Sequence, residues 1–496
     1  MKETTPPSPP LARRQFLAAA AAAFAGGGIA ATAMAAERAN LSTGSAGAAS
    51  VLEPGADPLA NTARLQKAID DAAMRDDPRV VIPPGRWEIT TLFLRSRVHL
   101  ELALGAVLTA CPDIRLFPQI QREFQSVRGK NILLHSRYLL YAENGTDIAV
   151  TGRGAVDGGA SDMASTPSTW DPKIRVKSVL TSPLIEFRRC QRVTIRDISV
   201  RASPGWTIHL FDCDDVRVEG VAIDNDLYGI YNDGLDINGC RNVFVSNCFV
   251  RACDDTINLK STRDARSCEY ITVTNCVLET TCTAVGIGGS WNSIRYVTFS
   301  NCAVRNAIRM IALMCDGGTV EHVVFSNIAG RAMTSLGTDR AIHFDVQPFQ
   351  SGNPQPGTLR HVIASNITCE TRGRILLTAQ AGATMSDITL RDVRLAYPEV
   401  EDPAVSVPRS GSIELSNFSP EARVARAAVV ADNISGLVLE NIAAAWPADA
   451  SRIAAPMHAL WGRRLRGGVI DCPLLAASDS KTERYDLKDS DVMIRG

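Results

Sequence analysis

Along most of the chain, β-branched and other apolar residues alternate with polar ones at a period of two, in short runs that recur. They read TIRDISV (194–200), RVEGVAI (217–223), FVSNCFV (244–250), TVTNCVL (272–278) and TFSNCAV (298–304), then VFSNIAG (324–330), IASNITC (363–369), TLRDVRL (389–395) and VLENIAA (438–444). Period-two alternation predicts strands with one buried face. The equivalent turn positions are 197, 220, 247, 275, 301, 327, 366, 392 and 441, at spacings of 23, 27, 28, 26, 26, 39, 26 and 49. A repeat of about 25 residues without a helical run makes each unit one coil of a parallel β-helix. Leucine-rich repeats need a Leu/Asn consensus that is missing, and propeller blades need about 40 residues each. The two long spacings are expected to hold one loop insertion and one coil that the pattern does not reveal.

Equivalent side chains in such a solenoid stack from coil to coil at roughly 4.8 Å. Asn247, Asn275, Asn301, Asn327, Asn366 and Asn441 then form an asparagine ladder at a turn, where Asn tolerates a left-handed backbone. Cys190, Cys213, Cys240 and Cys268 share one position, and Cys248, Cys276 and Cys302 another. They read as stacked core thiols, since a free cysteine behaves as a small buried hydrophobe. Residues 60–74 place Leu65, Ala68, Ile69 and Ala72 on one face of a helix, with Asn61 as its N-cap. Such a helix covers the first coil, which otherwise presents an open edge. The fold class is therefore all-β, a solenoid with an N-terminal capping helix. It forms a single domain over 36–496, with the cap at about 56–90, coils over about 91–455 and a closing segment at about 456–496.

The 496 residues carry a net charge of −1, which argues against a dedicated nucleic-acid binder. Hydrophobic residues at 45% support a large core. Residues 1–35 read as an export signal: Arg13-Arg14-Gln15-Phe16-Leu17, an Ala/Gly-rich apolar run, and Ala33-Met34-Ala35 as a cleavage pattern. The paired arginines resemble a bacterial twin-arginine signal, which implies a periplasmic or secreted protein. That route moves folded proteins, so the fold is not expected to depend on disulfides. No later stretch is long and apolar enough to span a bilayer. CxxC and HExxH are both absent, so no metal site and no cofactor is expected.

One stretch is dense in acids: Tyr231-Asn232-Asp233-Gly234-Leu235-Asp236, followed by Asp254-Asp255-Thr256-Ile257-Asn258-Leu259-Lys260. Asp233 and Asp254 are 21 residues apart, close to one coil, which sets Asp233 beside Asp254 and Asp255 on neighbouring coils. Adjacent carboxylates repel, and one of them binds its proton more tightly. A general acid facing a general base needs this arrangement. Asp236 reads as a buried turn carboxylate. Lys260 is a candidate either for holding a polar ligand or for pairing with the acids. Trp206, His209 and above all Trp291 are candidates for lining a ligand cleft. Residues 336–357, with His343 and Asp345, interrupt the repeat and are expected to form a loop.

These motifs, with Ile82-Pro83-Pro84-Gly85-Arg86-Trp87, Leu104-Gly105-Ala106-Val107-Leu108, Gly152-Arg153-Gly154-Ala155-Val156-Asp157-Gly158 and Ser203-Pro204-Gly205-Trp206-Thr207-Ile208-His209, resemble the polygalacturonase-type enzymes of glycoside hydrolase family 28. The resemblance covers nearly the whole chain after the signal. It implies a right-handed parallel β-helix that hydrolyses glycosidic bonds with inversion. It also implies Asp254 as general acid, Asp233 and Asp255 activating water, and Asn232, Thr283 and Arg309 as substrate-binding positions. The chain departs from the family pattern at three places. The GHG histidine falls on Thr283, the RIK lysine on Ile311, and the NTDGxD asparagine and threonine on Tyr231 and Asn232. The acids are thus kept while the uronate-recognition set is incomplete. Three readings stand: a hydrolase of a pectic or related polysaccharide or oligosaccharide, a lyase on the same fold, and a non-catalytic glycan-binding solenoid.

Overall fold

The computed structural model describes residues 52–120, 137–160, 184–227, 231–334, 339–347, 355–405 and 419–495; the expected export signal lies outside them. Each coil gives a short strand to a narrow 13-stranded sheet and a longer, often split strand to a broad 22-stranded one. Neighbouring coils pair in parallel, as strands that return in the same direction must, and the crossovers make a right-handed parallel β-helix.

Register explains the core. Val193, Val216, Val243, Ile271, Val297, Val323, Val362 and Ile388 pair in succession and are all buried. Phe299, Phe325 and Phe344 stack behind them, with ring centroids 5.0 and 6.1 Å apart. Like packs on like because coils repeat in register, so β-branched and aromatic residues fill the interior in columns. All thirteen cysteines are buried free thiols.

The nine turn positions all adopt positive φ, from 52° at Asn441 to 62° at Asp197 and Gly220. Left-handed backbone costs most residues roughly 1–2 kcal/mol, and Asn, Asp and Gly least. Asn366 Nδ2 donates to Asn327 Oδ1 at 2.7 Å, and Asn327 Nδ2 to Asn301 Oδ1 at 2.9 Å. Asn441 donates instead to Asp392. The amide ladder therefore runs unbroken over only part of its expected length.

Helix α1 spans Pro58–Ala73, and Leu65, Ile69 and Ala72 are fully buried against the first coils. Its N-cap is Asp57, whose carboxylate accepts from the Leu59 N–H at 3.0 Å, with Pro58 opening the helix. Asn61, expected as the cap, lies inside the helix. It is fully buried and donates to the carbonyls of Gly55 and Glu88.

Three further expectations change. Thr389 pairs directly with Val438, so the 49-residue spacing is a single coil and hides no second one; it holds the narrow-sheet strand Ala427–Asp432, preceded by a short helix at Pro420–Val424. Residues Arg340–Val346, read as part of a loop, form a strand of the narrow sheet. Parallel strands also continue through His458–Arg463, Arg466–Asp471, Tyr485–Lys488 and Asp491–Arg495, past the expected end of the coils. Gly467 and Gly468 interrupt the β-branched alternation there and hide the repeat.

The ladder yields a test. Asn327→Ala removes two amide bonds and leaves a β-carbon in a left-handed backbone, so it should cost about 2 kcal/mol in urea unfolding. Asn327→Gly keeps the backbone geometry and should cost at least about 1 kcal/mol less.

Candidate functional site

The acids sit where the chain enters the narrow sheet. The Gly234 N–H donates to the Asp255 carbonyl at 2.9 Å, and the Thr256 N–H to the Thr283 carbonyl at 2.9 Å. These bonds fix the register of the loop ends, and Thr283, Arg309, Arg340 and Arg374 pair in succession beyond them. One column of side chains thus runs Asp233, Asp255, Thr283, Arg309, Arg340, Arg374 on six successive coils. Gly234 allows the tight passage, since a β-carbon there would lie 2.3 Å from Val250 Cγ1 and 2.5 Å from the Thr256 carbonyl.

Asp254 keeps part of its surface open, whereas Asp233 and Asp255 are buried. Burial, and after it the charge of Asp255, push the Asp254 carboxyl up to about 6, against a hydrogen bond from the Cys282 thiol. Asp233 is likewise pushed up, by burial first and then by Asp236 and Asp254. Asp255 acts purely as an acceptor: Asn258 Nδ2 donates to one oxygen and the Thr283 N–H to the other at 3.2 Å. An ionised carboxylate has this acceptor-only pattern.

Lys260 lies under the acids, 5% exposed. Its ammonium pairs with Asp236 and lies 3.4 Å from Asp233, with the Trp206 ring 4.8 Å away. Burial alone would push this lysine down; the Asp236 and Asp233 charges outweigh it and hold it up. Of the two roles open to it, the geometry gives Lys260 the ion pair. Asp236, read as a buried turn carboxylate, is fully buried but lies within the strand Leu235–Asn238 and not in a turn.

The remaining candidates divide. Thr283 links the acids to Arg309, whose Nε donates to the Thr283 hydroxyl at 2.9 Å and whose Nη2 lies 2.8 Å from Cys282 Sγ. Ile311, where the resemblance places a lysine, is fully buried in the core. Asn232 has both ends of its amide engaged with backbone: it donates to the Asp226 carbonyl at 2.9 Å and accepts from the Cys253 N–H at 2.6 Å. It holds the loop that carries Asp254. Trp291 follows the strand Thr283–Ser290 and stands at its far end, roughly 25 Å from Thr283 at about 3.3 Å per residue. His209 pairs with Glu186 at 2.7 Å in the floor of the same sheet.

Sequence reasoning missed Cys282, although its place next to Thr283 would have put it beside the acids. Among the described residues, Asp254, Asp255 and Cys282 also form the one cluster able to offer a metal three ligands, all within 4.8 Å of one another. Each of the three already has a hydrogen-bond partner: Cys282 for Asp254, Asn258 and Thr283 for Asp255, and Arg309 for Cys282.

The buried ion pair generates a prediction. Lys260→Met strands Asp233 and Asp236 without their cation and should destabilise the fold by about 3–5 kcal/mol. Adding Asp236→Leu should recover most of that loss in denaturant unfolding. A lysine devoted to substrate would instead leave stability unchanged and raise KM.

The model of glycosyl hydrolases family 28 matches residues 119–412. A probable polygalacturonase of Vitis vinifera is 26% identical over 217 residues, which cover 42% of this chain and 43% of that protein. A polygalacturonase of Persea americana is 24% identical over 110 residues, 21% of this chain and 24% of that protein. The chain thus spans less than half the length of these curated relatives. Among solved structures, the family 28 exopolygalacturonase of Yersinia enterocolitica superposes with a TM-score of 0.63 at 16% identity, over 83% of this chain and 75% of that one. The polygalacturonase of Erwinia carotovora ssp. carotovora gives 0.56 at 20% identity, over 68% and 91%. These structural likenesses establish the fold. The family match spans more than half of the sequence and contains all three aspartates, and the chain belongs to glycosyl hydrolases family 28.

Proposed function

We propose that the protein is an exported, inverting glycoside hydrolase that cleaves a pectic or related polysaccharide or oligosaccharide. The observation that carries this reading is the division of labour among three neighbouring aspartates. Asp254 is partly open and holds its proton to about pH 6, as a general acid must. Asp255 is wired as an acceptor, and Asp233 stands on the preceding coil beside it. In this reading Asp254 protonates the departing glycosidic oxygen, while Asp233 and Asp255 hold a water and take its proton. Thr283 and Arg309 bind the glycan next to the acids, and Arg309 also adds positive charge where the leaving side develops negative charge. Asn232 and Lys260 position the acids. The polygalacturonases among the relatives favour a pectic substrate. The paired arginines at Arg13 and Arg14 support twin-arginine export.

The test is hydrolysis of pectic and related glycans by the chain from residue 36 onward, with and without EDTA. New reducing ends, without unsaturated products and insensitive to EDTA, support the reading; unsaturated products that vanish with EDTA would make the protein a lyase. Asp254→Asn should lower kcat by about 10²–10⁴-fold while sugar binding persists. The rate should fall as pH rises through about 6, where Asp254 loses its proton. Asp255→Asn removes a neighbouring negative charge, so Asp254 should ionise more easily and the alkaline limb of any residual activity should move to lower pH.

A further inference from the structure

The column that begins with the acids ends in three arginines whose surroundings differ. Arg309 is held by Thr283 and Cys282. Arg374 donates to the carbonyls of Arg423 and Ala425, at the end of the short helix Pro420–Val424. Arg340, between them, is 3% exposed, and no carboxylate lies within 4.0 Å of it among the described residues. Its Nη1 faces His343 Nδ1 at 3.5 Å, and its Nε has no partner. His343 is fully buried and its Nε2 also has no partner, with the nearest Asp345 oxygen 3.7 Å away. Asp345 is occupied by Thr378 at 3.1 Å and Gln347 at 2.5 Å.

Buried charges are normally paired, and buried donors are normally satisfied. Here a guanidinium stands unpaired between two other guanidinium groups. Burial, then the charges of Arg374 and Arg309, push Arg340 down to about 9. Burial also keeps the His343 ring neutral, so with Nδ1 facing an arginine donor its proton sits on Nε2. Two N–H donors, Arg340 Nε and His343 Nε2, therefore lack acceptors. Arg340 is as deeply set as Asp233 and Asp255, three coils beyond Asp255 in the same column, or about 14 Å at roughly 4.8 Å per coil.

We propose that Arg340 and His343 form a subsite for the carboxylate of an acidic sugar unit, set on the Arg309 side of the scissile bond. The proposal rests on the hydrolase reading above and adds to it the residues that select a charged glycan. A planar carboxylate matches a guanidinium fork and supplies the missing acceptors. It also adds a counter-charge in direct contact with Arg340, which Asp345 and Asp339 reach only from beyond ion-pair distance.

The test is made in the Asp254→Asn background, by calorimetric binding of a galacturonic acid trimer and of the same trimer with its carboxyl groups reduced to alcohols. Arg340→Gln should weaken the acidic trimer at least tenfold, leave the neutral trimer unchanged and leave Tm unchanged or higher, since it removes an unpaired buried charge. Arg340→Lys keeps the charge without the fork and should fall between the two. Equal weakening of both trimers, undiminished binding of the acidic one, or a variant that melts lower or does not fold would overturn the assignment. If the parent binds both trimers equally and the active enzyme still cleaves a glycan, the subsite fails alone. If the parent binds neither and the enzyme cleaves neither, the hydrolase reading fails and the subsite with it.

Discussion

Parallel coils stacked about 4.8 Å apart leave each side chain in contact with its equivalents above and below. The rest of the structure depends on this constraint. Inside the solenoid it builds columns of valine, isoleucine and phenylalanine. At the turns it lines up residues that accept a left-handed backbone. At the edge of the narrow sheet it forces ionisable groups together, and there the stacking that stabilises the core becomes costly. Asp233 and Asp255 meet on adjacent coils because nothing in a parallel solenoid lets them move apart.

The protein offsets that cost locally. Lys260 lies beneath Asp233 and Asp236, and the N–H of Thr283 and the amide of Asn258 are spent on Asp255. Asp254 receives no cation within ion-pair distance among the described residues and stays protonated to about pH 6. Two adjacent residues in one sequence thus have unlike surroundings: Asp255 lies among donors, and Asp254 lies against the charge of Asp255. Acid–base chemistry needs such a pair.

The strands, the nine turn positions and the neighbouring acids were legible because each depends on spacing that recurs along the chain. Asp57 was not: it caps the helix because Pro58 follows it, whereas Asn61 is drawn inward by the Gly55 and Glu88 carbonyls, which are distant or out of pattern in sequence. The strand Arg340–Val346 was hidden by the insertions on either side of it, which shift its spacing from Arg309 to 31 residues. Lys260 had two readings because sequence gives adjacency but not which way an ammonium turns. Trp291 looked close to Thr283 in sequence, yet an extended strand carries it to the far edge of the sheet.

The central claim is that Asp254, Asp233 and Asp255 act together in a single displacement by water. The stereochemical course tests it most directly. Proton NMR of the anomeric signals during the first minutes of hydrolysis of a galacturonic acid oligomer should show a product whose configuration is opposite to that of the bond cleaved, before mutarotation mixes the anomers. A first-formed product with retained configuration, or one carrying a double bond, would contradict the account.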